Sequence, residues 1–300
     1  MNIVMVAPTA LACAPYEAMK CLNKYTDGRL DITLISAATS YRCGLSFPHD
    51  LLWPKHMDAC ICAINAADVI HVHNKFPVGL QRFCVGKPVI YQFHSSPIRD
   101  QFKQIIHQGY HCYSIAQPLQ MREYQLPTLP NMIDPEEYVA IDKRMYDKPI
   151  ILYAPTNRYP NNQVGSKGYE TVMPILDTIQ ARAGAYVRVL ENVPYGLNLA
   201  EKMEADIVID DIIGQTWHRT SLEASCFSSV VVGSHAQPSW IYADANSLER
   251  VLNHLLDHPK LIHEYQLKSR RWIVHNYHPN MQISLYEKAY ANALTHGRRV

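Results

Sequence analysis

Short apolar runs recur through this chain, most of them followed by a stretch with helical spacing. Asn2–Val6, Asp31–Ile35, Val69–Val72, Val89–Phe93 and Cys112–Ser114 read as strands in the first half. Ile150–Tyr153, Tyr186–Leu190, Ile207–Ile209 and Val230–Val232 do so in the second. Several are continuous and β-branched rather than alternating, as strands buried on both faces are. Helical spacing marks Tyr16–Lys24, Glu170–Arg182, Arg219–Phe227, Leu248–Leu256, Leu261–Tyr277 and Met281–Thr295. In Glu170–Arg182 the apolar positions are Val172, Ile175, Leu176 and Ile179, one face of a helix. Strands that alternate with helices predict a parallel sheet with right-handed crossovers. Two such series in 300 residues predict an α/β chain of two doubly wound, Rossmann-like domains facing a cleft.

The composition fits a globular chain, with 48% hydrophobic and 18% charged residues. The opening Met-Asn-Ile-Val-Met-Val has no cationic leader and enters a strand at once, so no signal peptide is expected. No apolar run approaches the roughly 20 residues that span a bilayer. The eight cysteines are scattered and suit reduced thiols, so a cytoplasmic location is expected. His71 and His73 share one face of a strand, which makes a metal site conceivable on spacing alone.

The chemistry concentrates at strand ends in the second half. Arg158 lies just past the strand Ile150–Tyr153, and Lys167-Gly168 lies just before the following helix. Both belong on the carboxyl edge of a parallel sheet, where open α/β folds bind ligands. Two fixed cations beside a helix N-terminus suit a diphosphate, although a solvated loop with two surface charges would carry the same residues. Thr156 and Asn157 are neighbouring polar candidates. Further on, Ile207–Ile209 leads through Gly214-Gln-Thr-Trp-His218 into a helix that Thr220 or Ser221 could cap. Glu223 lies one turn in, where a carboxylate can accept from the two hydroxyls of a ribose or simply favour the helix dipole. His218 and Arg219 could touch phosphate or decorate the helix start.

In order and spacing these pieces resemble the retaining GT-B glycosyltransferases, in particular glycosyltransferase family 4. The resemblance spans nearly the whole chain and rests on Met1–Pro8, Ala67–His73, Lys87–His94, Leu129–Asp134, Arg158, Lys167-Gly168 and Glu223-Ala224. It implies an N-terminal domain over 1–133, a nucleotide-sugar domain over 134–278, and a segment 279–300 that returns to the first. It implies that Arg158 and Lys167 neutralise the donor diphosphate and the leaving nucleotide. Glu223 would bind the ribose, and the backbone of Thr220, Ser221 and Leu222 the phosphates. Asn192 and Val193 would border the base. His94 would contact the donor sugar as a third catalytic residue, unless it is a structural histidine ending its strand. Pro8, Thr9, Ala14 and Tyr16 would border the acceptor, and His71-Val-His73 would be structural, so no metal and no cofactor is expected.

Two departures stand out. The first loop lacks the family's Gly-Gly pair and offers only Ala10, Ala12 and Ala14. Where many members carry a second Glu, this chain has Gln215, which can hydrogen-bond but not carry charge. Hydrogen bonding alone would then serve the sugar, or Asp210 or Asp211 would stand in.

The resemblance implies transfer of a sugar from a nucleotide-diphosphate sugar, UDP- or GDP-linked, to a hydroxyl acceptor with retention. Net charge is +3 over 1–133, −7 over 134–267 and +5 over 268–300. The basic parts would join in the acceptor domain and suit an anionic acceptor: DNA with a hydroxymethylated base, or a phosphorylated glycan or lipid. No Lys/Arg cluster is dense enough to read as a DNA stripe. Residues Tyr41 to His56 could be an acceptor loop or a covering helix. The rivals are a nucleotide-sugar 2-epimerase and a non-catalytic sugar-nucleotide-binding module.

Overall fold

The structure is a computed structural model that describes residues 1–37, 51–94, 100–115, 124–141, 143, 148–155, 158, 166–182, 184–235, 237–298 and 300, without the side chains of 100 and 101. The chain divides into two compact units, Met1–Asp134 with His278–Val300, and Pro135–Tyr277.

The first unit carries β1 (Asn2–Ala7), α1 (Ala14–Tyr25), β2 (Asp31–Ser36), β3 (Leu51–Leu52), α2 (Met57–Ala66), β4 (Val69–His73), β5 (Val89–Phe93), α3 (Asp100–His107) and β6 (His111–Ser114). Its sheet runs β3-β2-β1-β4-β5-β6, parallel throughout. Alternate β1 side chains leave on opposite faces. Ile3 and Met5 pack with Leu22 of α1, while Val4 and Val6 pack with Ile64 of α2 and Phe93. Both faces of the sheet are therefore covered, which is why β1 reads as an unbroken apolar run.

The second unit carries β7 (Ile150–Tyr153), α4 (Tyr169–Ala181), β8 (Tyr186–Val189), α5 (Tyr195–Glu204), β9 (Ile207–Ile209), α6 (Arg219–Cys226), β10 (Val230–Gly233), β11 (Ile241–Tyr242), α7 (Leu248–Asp257) and α8 (Pro259–Asn276). Its sheet, also parallel, runs β11-β10-β9-β7-β8. Ile151, Tyr153, Ile207, Ile209, Val230 and Val232 face α4 and α7 through Val172, Leu176, Leu252 and Leu255.

The last helix, α9 (Pro279–His296), belongs to the first unit. It buries Ile283, Tyr286, Ala289, Tyr290 and Ala293 against β1, β4 and α1. Its two tyrosines anchor it under the sheet: the Tyr286 hydroxyl donates to the Pro130 carbonyl at 2.7 Å, and the Tyr290 hydroxyl meets His71 Nδ1 at 3.0 Å.

The main strands lie where the apolar runs predict them. The two-residue edge strands β3 and β11, and the helices α2, α3 and α5, lie outside the sequence reading. Of the stretch 41–56, the described end forms β3 and a turn rather than a covering helix. Among the described residues no helix is long and apolar enough to cross a membrane.

Candidate functional site

Strand order reverses between β7 and β9 in the second unit and between β1 and β4 in the first. Such reversals open a crevice at the carboxyl ends of the strands. The predicted site residues gather at these two places.

In the second unit a buried carboxylate ties three elements together. Asp210 follows β9, and its Oδ1 accepts from Lys167 Nζ at 2.8 Å. Its Oδ2 accepts from the His218 backbone N–H at 2.8 Å and the Ser221 hydroxyl at 2.6 Å. Lys167 Nζ also donates to the Thr220 hydroxyl at 3.2 Å. The turn into α4 and the turn into α6 are thereby fixed to the end of β9. Burial alone would raise the Asp210 pKa, but the Lys167 charge and His218 outweigh it and hold the carboxyl well below its usual range. The residue capping α6 is His218, and its side chain makes no capping hydrogen bond. The Thr220 and Ser221 hydroxyls, read as candidate caps, serve Lys167 and Asp210 instead.

Lys167 and Gly168 both have left-handed backbones, with φ of 52° and 85°. A Cβ on Gly168 would fall 2.4 Å from Ile212 Cγ1. Glycine is thus required by conformation and by space. Gly168→Ala is expected to cost about 1–3 kcal/mol in denaturant unfolding; no change would show that the turn is not held as described.

Glu223 is 1% exposed. Its Oε1 accepts from the Tyr195 hydroxyl at 2.7 Å and from Arg219 Nε at 2.9 Å, and its Oε2 from Lys202 Nζ at 2.5 Å. Arg219 Nη2 also donates to the Tyr138 hydroxyl at 3.1 Å. Burial pushes the Glu223 pKa up, and the Lys202 and Arg219 charges bring it below its ordinary value. Arg219 is a buried partner of Glu223, with its guanidinium turned to that carboxylate and to Tyr138. Lys202 and Tyr195, on the unexpected helix α5, are the members that sequence reasoning missed.

Arg158, by contrast, is exposed. Its Nε donates to Glu191 Oε2 at 2.6 Å, and its guanidinium lies 5.9 Å from the Tyr169 ring centroid. Asn192 and Val193 follow β8, with Asn192 left-handed at φ 54°. Gln215 is left-handed too, at φ 51°, and its backbone N–H donates to the Ser234 hydroxyl at 3.0 Å. Asp211 Oδ1 accepts from the backbone of Ile213 and Gly214 at 2.8 and 2.7 Å. Asp210 and Asp211, weighed above as replacements for a sugar-contacting acid, are both engaged in holding this loop. Leu222 is fully buried in α6. Thr156 and Asn157 lie outside the described residues.

In the first unit the loop after β1 carries Pro8 and Thr9 half-buried, then Leu11, Ala12 and Cys13 with φ of 45°, 52° and 69°. Three consecutive left-handed residues replace what a glycine pair would do at no steric cost. Ala14 is buried at the start of α1, and Tyr16 packs at the edge of the core with Lys20 Nζ 5.4 Å from its ring centroid. His94 follows β5. Its backbone N–H donates to Asn74 Oδ1 at 2.7 Å, and its Nε2 lies 2.8 Å from His73 Nδ1. His71 and His73 stack at 4.3 Å, as residues sharing a strand face should. Burial pushes His71 and His94 down to about 3 and His73 well down, so all three imidazoles are neutral near pH 7.

No protein-family model matches the sequence, and no curated protein matches it. Solved structures do match in fold. An alpha-glucosyltransferase in complex with UDP and a 13-mer DNA containing a central A:G mismatch aligns with TM-score 0.69 at 9% identity, over 96% of this chain and 99% of that one. Sucrose-phosphate synthase from Thermosynechococcus elongatus aligns with TM-score 0.60 at 11% identity, over 97% and 100%. HepE of Anabaena in complex with UDP does the same, with TM-score 0.60, 11% identity, and 97% and 100% coverage. The fold is therefore that of the GT-B enzymes, two Rossmann-like units each built on a parallel sheet.

Proposed function

We propose that this chain is a glycosyltransferase that moves a sugar from a nucleotide-diphosphate sugar, most simply a UDP-sugar, to a hydroxyl on an anionic acceptor. The observation that carries the reading is the edge at the β7/β9 reversal, where Lys167-Gly168 opens α4 and Thr220–Leu222 opens α6. Helix N-termini of this kind bind phosphate through backbone N–H groups and the helix dipole. Arg158 is the cation offered to the diphosphate. Its exposed pair with Glu191 is screened by water and yields readily to a more highly charged partner. Lys167 acts from within, its charge shared with Asp210.

Donor cleavage then leaves a nucleoside diphosphate whose developing charge these groups stabilise. His94, neutral, would offer the sugar a hydrogen bond and no charge. Front-face attack, with the departing phosphate taking the acceptor proton, gives retention and needs neither a separate base nor a metal. The positive balance of residues 1–133 and 268–300 supports an anionic acceptor. DNA with a hydroxymethylated base suits it, since one fold neighbour is described with such DNA and UDP.

The test is a screen of UDP-, GDP-, ADP- and dTDP-sugars for thermal stabilisation and nucleoside-diphosphate release, run with and without chelator. Hydroxymethylated duplex DNA and phosphorylated glycans follow as acceptors. One selective donor and acceptor-dependent release are expected, with activity on DNA falling steeply as salt rises. Epimerised sugar nucleotide formed without acceptor would make the chain an epimerase. Tight binding with no turnover would make it a binding module.

A further inference from the structure

The Glu223 carboxylate is nearly saturated. Two oxygens offer about four acceptor positions, and Lys202, Arg219 and Tyr195 already take three. A ribose diol donating two hydrogen bonds would exceed what remains, so one donor has to leave. The three donors are not equally able to do so. Lys202 and Arg219 have side chains only 4% and 5% exposed, and either one leaving would strand a buried charge. Tyr195 is neutral and half-buried. It is the first residue of α5, directly after Asn192-Val193-Pro194 at the end of β8. Its departure from Glu223 strands no charge, and so costs less than the departure of either cation.

We propose that Tyr195 competes with the ribose of the nucleotide for Glu223, its hydroxyl leaving Oε1 when a ribose hydroxyl arrives. Tyr195 thereby lowers affinity for the nucleotide and narrows the gap between ribose and a sugar lacking its hydroxyls. This rests on the reading above that Glu223 meets the donor ribose. A ligand without the 2′ and 3′ hydroxyls leaves the Tyr195–Glu223 bond in place, so it feels no competition.

The experiment is calorimetric titration of the full chain and its Tyr195→Phe variant with UDP and with 2′,3′-dideoxy-UDP. The variant keeps the ring and removes only the competing hydroxyl. A hydrogen bond to a charged group is at stake, so UDP should bind the variant about tenfold more tightly. Dideoxy-UDP should bind both proteins equally. Weaker UDP binding by the variant would make Tyr195 a support for the site and overturn the proposal, as would unchanged affinity. Equal affinity of the unaltered protein for UDP and dideoxy-UDP, with Tyr195→Phe again without effect, would also overturn it while leaving nucleotide binding intact. No binding of UDP by either protein would remove the UDP reading itself, and this proposal with it.

Discussion

Asp210→Ala is expected to destabilise the second unit by about 3–5 kcal/mol, because it removes one half of a buried ion pair and leaves the other. Lys167 and Asp210 have side chains 4% and 2% exposed, so water cannot replace the lost carboxylate. The same change orphans the His218 N–H and the Ser221 hydroxyl, both held by Oδ2. The turn into α4 and the turn into α6 lose their common anchor, so nucleotide affinity should fall together with stability. Replacing both partners by apolar residues, Asp210→Leu with Lys167→Met, should cost less than the single change, since no charge is stranded. Urea unfolding of the three proteins measures this. A single-mutant cost under about 1 kcal/mol would mean the pair does not anchor the loops. The sign with pH follows from the depressed carboxyl. Its contribution is intact above the ordinary carboxylate pKa of about 3.9, and it fades only as pH falls below that value.

The sequence shows the elements of this site more clearly than their relations. β1, β4, β5, β7, β9 and β10 are legible because burial on both faces keeps the runs mostly apolar, with His71, His73 and Gln92 the buried polar exceptions. The two-residue strands β3 and β11 are too short to carry any period. Helix α5 hides for a different reason: it starts after Pro194, has Gly196 in its first turn, and its one fully buried side chain is Lys202. That lysine has no apolar stripe to announce it, yet it sets the state of Glu223. Lys167 and Asp210 were each in view, but they lie 43 residues apart on separate elements. No local spacing says that one neutralises the other. The missing Gly-Gly pair was legible as an absence. The left-handed run Leu11–Cys13 that replaces it was not, because alanine, leucine and cysteine carry no signal for that conformation.

Acid should unfold the first unit well before it protonates Asp210. His71 and His73 are wholly buried on β4 and hydrogen-bond Tyr290 and His94. Burial first, and the neighbouring imidazoles second, push His71 down to about 3 and His73 well down. In the unfolded chain both return to about 6.5. Below that pH the unfolded state binds protons that the folded state refuses, so stability is fully present above pH 6.5 and is lost as pH falls. Each group contributes a slope approaching about 1.4 kcal/mol per pH unit, and the two together remove roughly 4 kcal/mol between pH 7.5 and 5. His94, half-buried and also pushed down to about 3, adds in the same direction. A loss of this size is a large share of the 5–15 kcal/mol that holds an ordinary domain. Amide hydrogen exchange of peptides covering β4 and β5 in the full chain would read it as a steep fall in protection toward pH 5. His73→Leu should flatten that fall by about one proton's slope whatever it does to stability at pH 7.5. Protection that stays level from pH 7.5 to 5 would mean that the imidazoles accept protons inside the fold, and that the chain from Tyr290 to His94 opens to water.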